Sequence, residues 1–488
     1  MLVKDRLYIG GDWVAPASAD VIEVVSPSTE EVIGRVPEGQ AADVDRAVAA
    51  ARQAFDHGPW PRLAPEERAG VLASVSASLQ DRSEELAALI TAENGSPISW
   101  SIMGQVFAST MVADYYVGLA KEYEFTERRS GLFGSALVRK LPVGVAAAIA
   151  PWNVPLFVTM LKLAPAMVAG CAVVVKPAPE TPLDAYVLAE CLESAGLPPG
   201  VVSIVPAGRE VGEHLVTHPD VDKVAFTGST AAGRRIASLC GERLRRVTLE
   251  LGGKSASIIL DDADLDDVVA GLMPAAVMNN GQACVAQSRI LASRDRYGEV
   301  VDRLSEAVGA LTVGDPADPA TEVGPLVAER QRTRVEGYLA SGREEGARVT
   351  VGGGRPAGLD RGWYVEPTVF ADVDNAMRIA QEEIFGPVLA VIAYDDVDQA
   401  VAIANDSPYG LSGSVYGADV EEATEVAGRV RTGTSTVNGF MLEFGCPFGG
   451  FKSSGLGREL GPEGLEAYLE LQSISLPAGD SAGVPAGA

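Results

Sequence analysis

Cys284 is the cysteine of this sequence whose neighbours could serve covalent chemistry. It follows Gly281, Gln282 and Ala283, a turn at the end of a helical pattern, and such a turn could hold the sulfur in a cleft. A thiolate in a cleft can act as a nucleophile towards a carbonyl carbon. A lone cysteine is, however, most often a small buried apolar residue, so the residue types alone leave both interpretations open.

Glu250 and Asn153 could supply a general base and a hydrogen-bond donor. Glu250 lies between two leucines in the segment LELGG, where a carboxylate is costly to bury unless it has a partner or a task. Asn153 follows Trp152 in a loop after a predicted strand, and its side-chain NH2 group could donate to an oxyanion. The alternatives are a half-exposed strand residue for Glu250 and an ordinary turn asparagine next to proline for Asn153.

Two further segments have the residue types of a phosphate site. Lys176 ends a strand of valines, and Gly228 and Ser229 stand at a strand-to-helix turn in FTGSTAAG. The free N–H groups at the start of a helix suit a pyrophosphate. As a single glycine motif this signal is weak, and without further evidence Lys176 would be taken for a solvated strand end.

These residues are carried by predicted strands and helices that alternate along the chain. From residue 143 the pattern is VGVAAAIA, PLFVTMLKLAPAMVA, CAVVVK, LDAYVLAECLESA, VVSIVP and KVAFTG, and Gly170 and Gly196 mark two helix ends. Such alternation predicts a parallel, doubly wound sheet. A second series begins near Arg246, and 488 residues are too many for one hydrophobic core. We therefore predict an α/β fold of two doubly wound domains, with the boundary near Thr248.

Composition and charge exclude several classes of protein. The net charge of −27 repels nucleic acids and anionic membranes, so neither is expected as a partner. The five cysteines are widely spaced without a CxxC pair, and there are only three histidines, so we expect no disulfide framework and no metal. The apolar stretch 143–175 contains prolines and polar residues, which favours buried strands and a helix over a membrane span. The amino terminus lacks the apolar core of a signal peptide, so a cytoplasmic location is expected.

Seven ordered motifs connect these residues to a known family. They are PWNVP (151–155), VVKPAPETP (174–182), FTGSTAAG (226–233), LELGGK (249–254), GQAC (281–284), EEIFGPV (382–388) and PFGGFKSSGLGRELG (447–461). Together they resemble the aldehyde dehydrogenase superfamily over almost the full chain. The segment GLGRELG (455–461) superficially looks like a dinucleotide loop, but it follows no clear strand, so we interpret it as structural.

The resemblance implies NAD(P)+-dependent oxidation of an aldehyde to its carboxylic acid. Cys284 would be the nucleophile that carries a thioester, Asn153 and the Cys284 amide would hold the oxyanion, and Glu250 would activate the hydrolytic water. An acylating relative that uses coenzyme A usually lacks this glutamate. A cofactor-independent cysteine hydrolase would need a histidine base, and no histidine lies near a motif. A structural relative that has lost catalysis would not be expected to retain all three residues.

The resemblance also assigns the cofactor site, with NAD as the expected cofactor and NADP possible. Many NAD-preferring relatives have a glutamate three residues after the lysine, whereas this chain has Pro179 there and Glu180 one place later. Cofactor preference is thus less determined than the reaction. The residues matched to the family's cofactor contacts are Trp152, Lys176, Gly208, Gly228, Ser229, Leu251, Gly252, Glu383 and Phe385.

The positions matched to the family's aldehyde tunnel are apolar and predict an apolar or aromatic aldehyde. No arginine stands among them to bind a second carboxylate or a phosphate, and Glu443, close in sequence, is the one residue against this inference. The five tunnel positions are Val154, Phe157, Leu161, Val285 and Phe448.

The predicted domain organisation follows from the same comparison with the family. Residues 1–122 and 142–247 are expected to form the Rossmann-like dinucleotide-binding domain, and 248–467 the catalytic domain. The segments 123–141 and 468–488 would form a small β extension that pairs with a partner subunit, so a homodimer or homotetramer is predicted. The small-residue-rich end beginning at Leu476 is expected to be frayed.

Overall fold

The structure is a computed structural model, and it describes residues 1–477. It is an α/β structure of alternating strands and helices, as the sequence predicts. The strands are β1 (Leu2–Val3), β2 (Leu7–Ile9), β3 (Asp12–Val14), β4 (Val21–Val25), β5 (Val32–Pro37), β6 (Thr126–Gly131), β7 (Gly134–Pro142), β8 (Val145–Ile149), β9 (Ala172–Lys176), β10 (Val202–Ile204), β11 (Lys223–Thr227), β12 (Arg246–Glu250), β13 (Ser255–Ile259), β14 (Gln287–Ser293), β15 (Arg348–Val351), β16 (Thr368–Ala371), β17 (Val388–Tyr394), β18 (Gly413–Tyr416), β19 (Thr436–Val437), β20 (Gly455–Leu456) and β21 (Leu469–Leu476).

The two helices whose ends Gly170 and Gly196 mark in the sequence end at Ala169 and Ser194. A wide π-helical turn, Ser101–Phe107, joins two other helices, and short 3-10 turns occur at Trp60–Arg62, Met278–Gly281 and Lys452–Ser454. The α-helices are α1 (Ala41–His57), α2 (Pro65–Asp81), α3 (Ser83–Asn94), α4 (Ile98–Trp100), α5 (Ala108–Glu122), α6 (Pro155–Ala169), α7 (Leu183–Ser194), α8 (Arg209–Thr217), α9 (Thr230–Glu242), α10 (Leu265–Ala276), α11 (Tyr297–Ala310), α12 (Glu329–Glu344), α13 (Arg378–Gln381), α14 (Val397–Asn405), α15 (Val420–Arg429) and α16 (Gly461–Glu466).

The first large sheet has eight strands in the order β20-β12-β11-β8-β9-β10-β2-β3. Strands β8 to β12 run parallel, and β2, β3 and β20 are antiparallel additions. The chain moves outward from β8 through β9 to β10 and then returns to place β11 on the other side of β8. This reversal of strand order leaves a crevice beyond the carboxyl ends of β8 and β11, where ligands bind in such folds. The loop with Asn153 follows β8, and Gly228 follows β11.

The second large sheet has seven strands in the order β15-β16-β17-β14-β13-β18-β19. All neighbours in it are parallel except β15 and β16. The turn with Cys284 lies between α10 and β14, where the chain enters this sheet. The two sheets confirm the predicted pair of doubly wound α/β layers.

The predicted boundary between the domains, near Thr248, falls within a strand of the first sheet. Strand β12 pairs with β11 along its whole length, from Arg246 to Glu250. Strand β20 also returns to this sheet, pairing Leu456 with Leu249, although the predicted division assigns this segment to the catalytic domain. Both observations have the same cause, because an apolar run shows that a strand is buried but not which sheet it joins.

A third, smaller sheet has the strand order β21-β7-β6. Strand β7 pairs antiparallel with β6 from Gly134 to Arg139, and with the whole of β21 from Ser135–Leu476 to Pro142–Leu469. The two segments predicted to form the β extension, 123–141 and 468–488, therefore come together within one chain. The part of the second segment beyond residue 477, including most of the end expected to be frayed, lies outside the described residues.

Helix α6 explains the apolar stretch that could be mistaken for a membrane span. It follows β8 and precedes β9 in the chain, is buried, and packs against α2 and α5. Gly170 ends the helix in the left-handed conformation, with φ of 95°. Residues 143–175 thus form strand, loop, helix and strand, as predicted. Among residues 1–477, no helix has the length and apolarity needed to cross a membrane.

Candidate active site

The three residues singled out for chemistry line one cavity between the two large sheets. The cavity has a volume of about 900 Å³, and Asn153, Glu250 and Cys284 all lie on its wall. They come from the loop after β8, the end of β12 and the turn before β14. Asn153 and Cys284 are 131 positions apart in the sequence. The tertiary structure brings them to one cavity, as their predicted joint role requires.

Cys284 is held against the segment that links the two large sheets. A Cβ atom built on Gly253 would lie 2.3 Å from the carbonyl oxygen of Cys284, so only glycine allows this approach. Cys284 is half-buried, whereas Cys171, Cys191 and Cys240 are fully buried. Burial, together with the negative charges of Glu383 and Glu250, raises the pKa of the Cys284 thiol to about 12. In this arrangement the neutral thiol is the stable form.

Glu250 is buried without a partner. Its side chain is 2% exposed, and neither carboxylate oxygen has a hydrogen-bond partner within residues 1–477. Burial and the nearby Glu459 raise its pKa well above the usual value, and Lys162 and Arg458 oppose the shift. A Cβ atom on Gly449 would approach the carboxylate to 2.6 Å, so this glycine leaves the space around it open. The alternative of a half-exposed strand residue is wrong.

A buried ion pair lies beside Glu250. The Lys162 ammonium group on α6 is 2.7 Å from the Glu459 carboxylate and donates to the Thr227 hydroxyl at 2.6 Å. Glu459 lines the cavity, so the segment GLGRELG, interpreted from the sequence as purely structural, contributes a charged group to the site. The sequence analysis missed both residues, because 297 positions separate them and the motif that contains Glu459 does not indicate its partner.

Asn153 is oriented by contacts on both its side chain and its backbone. Its side-chain Nδ2 donates to the carbonyl oxygen of Gln282 at 2.8 Å, in the turn that leads to Cys284. Its own carbonyl oxygen accepts from Asn94 and Asn279, at 3.1 and 2.9 Å. An amide NH2 group has two hydrogens, so one remains for another acceptor. An ordinary turn asparagine, the alternative interpretation, would not need hydrogen bonds on both its side chain and its carbonyl oxygen.

Seven of the nine predicted cofactor residues line the same cavity: Trp152, Gly228, Ser229, Leu251, Gly252, Glu383 and Phe385. Ser229 caps α9, and its hydroxyl accepts from the Ala232 N–H at 3.3 Å. The rings of Trp152 and Phe385 meet edge to face with 5.3 Å between centroids. The Glu383 carboxylate accepts from the Gly253 N–H at 2.9 Å, and burial raises its pKa to about 7.

Lys176 and Gly208 do not line this cavity but lie next to each other beside it. The Lys176 amine donates to the carbonyl oxygens of Ala207 at 2.7 Å and Pro177 at 2.9 Å. The side chain is buried, which contradicts a solvated strand end, and burial lowers its pKa to about 8. Gly208 is the N-cap residue of α8. A Cβ atom built on it would lie 3.1 Å from a Glu38 carboxylate oxygen.

Three arginines on the cavity wall were missed by the sequence analysis. Arg209, Arg330 and Arg334 place cationic side chains on the wall of this cavity, in a chain of net charge −27. Arg330 also pairs with Glu180 at 2.6 Å, across the gap between α12 and the loop after β9. Arginine in a helix has no local pattern that distinguishes a cavity wall from a solvated face, so only packing could identify these residues.

The remaining wall of the cavity is an apolar tunnel that leads to Cys284. All five predicted tunnel residues line it. Glu443, the residue that argued against an apolar tunnel, is not among the residues of the cavity wall. The rings of Phe157 and Phe444 lie 6.5 Å apart at an angle of 61°. Further apolar or small residues that the sequence did not assign to the tunnel are Trp100, Gly104, Ala108, Met278, Phe440, Leu442 and Phe444.

Comparison with known proteins gives the family of this chain. The chain matches the aldehyde dehydrogenase family over residues 13–474. It is 51% identical to a geranial dehydrogenase of Castellaniella defragrans, over 96% of this chain and 98% of that protein. The crystal structure of a Mycobacterium tuberculosis aldehyde dehydrogenase complexed with NAD+ is 52% identical, with a TM-score of 0.97, and covers 99% of this chain and 100% of the other. A Pseudomonas syringae aldehyde dehydrogenase C, a cysteine-to-alanine mutant complexed with NAD+ and octanal, is 44% identical with a TM-score of 0.94 over 96% of both chains.

The chain belongs to the aldehyde dehydrogenase family, as its motifs predict. It is an oxidoreductase whose general reaction is the NAD(P)+-dependent oxidation of an aldehyde to a carboxylic acid.

Proposed function

We propose that this enzyme oxidises medium-length apolar aldehydes with NAD+, through a thioester on Cys284 that water hydrolyses. The observation that carries the proposal is the apolar tunnel that ends at Cys284, with Asn153 and Glu250 on the same wall. A tunnel without a cationic side chain favours a hydrocarbon chain over a second carboxylate or a phosphate. Two of the cavity arginines are next to predicted cofactor residues instead: Arg209 follows Gly208, and Arg334 donates to the Glu383 carbonyl oxygen.

Cys284 carries the bond-forming step. The Cys284 thiol loses its proton to water in the cavity, and the resulting thiolate adds to the carbonyl carbon of the aldehyde, whose oxygen becomes an oxyanion. The free hydrogen of the Asn153 amide and the Cys284 N–H donate to that oxyanion, which stabilises the charge where it develops. Bound NAD+ supplies the acceptor for the hydride that leaves this adduct, and an acyl thioester remains on Cys284.

Glu250 acts in the second half of the reaction. It takes a proton from a water molecule as the water attacks the thioester carbon, and the Cys284 thiolate leaves as the carboxylic acid forms. Burial and Glu459 raise the pKa of Glu250, which increases its affinity for that proton. Its lack of a hydrogen-bond partner leaves both oxygens available to water.

The residues around the cavity fit a dinucleotide. The free N–H groups at the start of α9, next to Gly228 and Ser229, suit a pyrophosphate, and the cavity arginines add positive charge. The Glu383 carboxylate can accept from ribose hydroxyls with the oxygen that Gly253 does not use. Trp152 and Phe385 offer an aromatic wall. Lys176 and Gly208 would then mark the adenosine end.

The relatives support this substrate class. One is a geranial dehydrogenase, and another was crystallised with octanal, both apolar aldehydes of medium length. The tunnel of the present chain has aromatic and aliphatic walls of the same character, including Phe157, Leu161 and Phe444. We therefore expect aldehydes of this class to be better substrates than small polar ones such as glycolaldehyde or betaine aldehyde.

The assembly and location of the enzyme are part of the proposal. The third sheet has exposed edges that a second copy could extend, which supports a homodimer or homotetramer. The cysteines of the described chain are free thiols, which suits the reducing cytoplasm.

Two substitutions test the proposed roles. Cys284→Ala should abolish oxidation of octanal while NAD+ still binds, because the nucleophile is lost and the cavity wall is not. Glu250→Gln should retain a single burst of reduced cofactor and lose the steady-state rate by ~10²–10⁴-fold, because general base catalysis follows hydride transfer. Stopped-flow absorbance at the wavelength of reduced cofactor measures both. Turnover of Cys284→Ala within tenfold of the wild type would refute the assignment, and loss of the burst in Glu250→Gln would move Glu250 to an earlier step.

A further inference from the structure

A network of buried side-chain amides connects the loop of Asn153 to the turn of Cys284. Its members are the side chains of Asn94 at the end of α3, Gln105 in the π-helical turn, Asn153 and Asn279, together with the backbone carbonyl of Gln282, and all five residues are buried. The proposed function uses only Asn153 among them. Buried amides are costly unless they are hydrogen-bonded, so their arrangement requires a physical explanation.

Asn279 occupies the centre of this network. Its Nδ2 donates to the carbonyl oxygen of Asn153 at 2.9 Å and to the carbonyl oxygen of Gln282 at 3.3 Å. Its Oδ1 accepts from the Ser96 hydroxyl. The same Gln282 carbonyl accepts from the Asn153 side chain at 2.8 Å. One amide group thus joins the backbone of the oxyanion loop to the backbone just before Cys284, and the Asn153 side chain closes the connection.

The backbone at Asn279 and Asn280 shows why these residues are asparagines. Their φ angles are 51° and 62°, in the left-handed region where asparagine is tolerated better than most side chains. Asn280 is anchored elsewhere, with its Nδ2 donating to Gly95 and Pro325 carbonyls at 2.9 Å and its Oδ1 accepting from the Gly324 N–H at 2.6 Å. Two adjacent residues with the same backbone conformation therefore have different partners, and only Asn279 reaches Asn153.

We infer that Asn279 is a positioning residue that fixes the distance between the Asn153 amide and the Cys284 sulfur. The inference rests on the proposed function, because the distance matters only if Asn153 donates to an oxyanion formed at Cys284. Misplacing a catalytic group by about 1 Å can slow a reaction by ~10²-fold. Without the Asn279 amide, the Asn153 carbonyl keeps Asn94 and Gln105 as donors, so the loop remains folded. Its connection to the turn of Cys284 is then reduced to the single bond from the Asn153 side chain to the Gln282 carbonyl.

The test substitutes Asn279 and measures two reactions of Cys284. Asn279→Gly keeps the left-handed backbone without strain and removes the amide. Asn279→Asp keeps the size and the contact to Ser96 but cannot donate. With octanal and NAD+, we expect the pre-steady-state burst to slow by about 10–100-fold in both variants. Alkylation of Cys284 by iodoacetamide forms no oxyanion, so its rate should stay within about threefold of the wild type.

Two comparisons separate positioning from a general structural role. If Asn279 acts through Asn153, then adding Asn279→Gly to Asn153→Ala should slow the burst by less than about threefold further, because coupled residues are not additive. The matched control, Asn280→Gly, removes anchors of similar number from the same turn and should lower the melting temperature while slowing the burst far less than Asn279→Gly does.

Three results would overturn the inference: a burst of wild-type rate in Asn279→Gly, an equal loss in the Asn153→Ala background, or alkylation that slows in parallel with the burst. Should Asn279→Gly fail to fold, Asn279→Asp carries the same comparison. A wild-type enzyme that gives no burst with octanal would refute the proposed function instead, so the two failures are distinguishable.

Discussion

At the scale of single residues, the acidic surroundings of Cys284 determine how reactive its thiol is in the free enzyme. Glu383 and Glu250 are the charged groups that oppose its ionisation, after burial itself. A negative neighbour disfavours a thiolate, so removing one should lower the thiol pKa. Glu383 is the better probe, because a glutamine there can still accept from the Gly253 N–H.

We predict that Glu383→Gln accelerates alkylation of Cys284 by iodoacetamide, by about three- to tenfold at pH 8, in the enzyme without cofactor. The pKa of Glu383 is about 7, so the acceleration should be small at pH 6, where the wild-type carboxyl is already protonated, and should grow as pH rises through 7. Second-order rate constants between pH 6 and 9 measure this.

The neighbouring Glu382 provides the control for that measurement. It is exposed and paired with Arg378 at 3.1 Å, so Glu382→Gln should leave the alkylation rate unchanged. A ratio of variant to wild-type rates that does not change with pH would contradict the role given to Glu383.

Cofactor preference depends on residues after β9. Pro179 cannot accept hydrogen bonds from ribose hydroxyls with a side chain, and Glu180 is paired with Arg330, which neutralises its charge. Lys176 and Arg209 are cations on the same side of the site and would favour a 2′-phosphate. We therefore expect NAD+ to be preferred over NADP+ by only about 10–100-fold in kcat/KM, or about 1.4–2.8 kcal/mol.

Pro179→Glu should increase that preference, because the new carboxylate would accept from the ribose and repel a 2′-phosphate. Steady-state kinetics with each cofactor at saturating octanal measure the ratio, and Glu180→Gln, which removes a charge already paired, should change it little. A wild-type preference for NADP+, or one for NAD+ above about a thousandfold, would show that another residue controls the ribose contact.

At the scale of elements, the π-helical turn and α5 shape the far wall of the tunnel. Gly104 and Ala108 both line the cavity, and a Cβ on Gly104 would lie 2.6 Å from the Trp100 ring. The wide turn therefore lets Trp100 fold over small residues and leaves space for substrate. A larger side chain on this wall should shorten the tunnel without touching Cys284.

We predict that Ala108→Leu reduces the advantage of longer aldehydes. In the wild type, three extra buried CH2 groups should favour octanal over pentanal by ~50-fold in kcat/KM, at about 0.8 kcal/mol each. In Ala108→Leu the ratio should fall to less than about fivefold, because the added side chain occupies the space of the distal carbons. Kinetics with a series of linear aldehydes measure it.

The control is Gly118→Leu on the same helix. A Cβ on Gly118 meets nothing within 4 Å, so the same side chain there should leave the chain-length preference as in the wild type. Equal rates with pentanal and octanal in the wild type would show that the tunnel does not bind the chain.

At the scale of the whole molecule, the third sheet exposes several large apolar side chains to solvent. Strand β21 is an edge strand on which Leu471 is 68% exposed, and the tip between β6 and β7 exposes Leu132 and Phe133 at 97% and 96%. Unprotected edges and apolar tips of this kind tend to pair with another chain.

We therefore expect a solution mass at least twice the 50.8 kDa of one chain, measured by light scattering at micromolar concentration. Replacing Leu471 and Ile474 by aspartate should shift the enzyme towards the monomer, because charges on the edge disfavour apolar contact. Val420→Asp, at an equally exposed apolar site on α15, should not. A monomeric wild type would contradict the proposed assembly.

The sequence by itself determined the strands, the helices and the family. Runs such as the valines of β9 and the continuous apolar face of α6 specify buried elements, and Gly95 and Gly170 end helices because the left-handed conformation required there suits glycine. These are local properties, so they can be read from neighbouring residues. The motifs likewise located Cys284, Glu250, Asn153 and most of the cavity wall, since each motif is a short continuous segment.

Only the tertiary structure decided which distant groups meet. It assigned β12 and β20 to the first sheet, buried Lys176, paired Lys162 with Glu459 and placed Asn279 between Asn153 and Gln282. In most of these cases the partners are far apart in the chain, and an amide or a charge can satisfy its hydrogen bonds with any of many partners. The choice is made by the packing of the sheets around the cavity, which no local spacing of residues encodes.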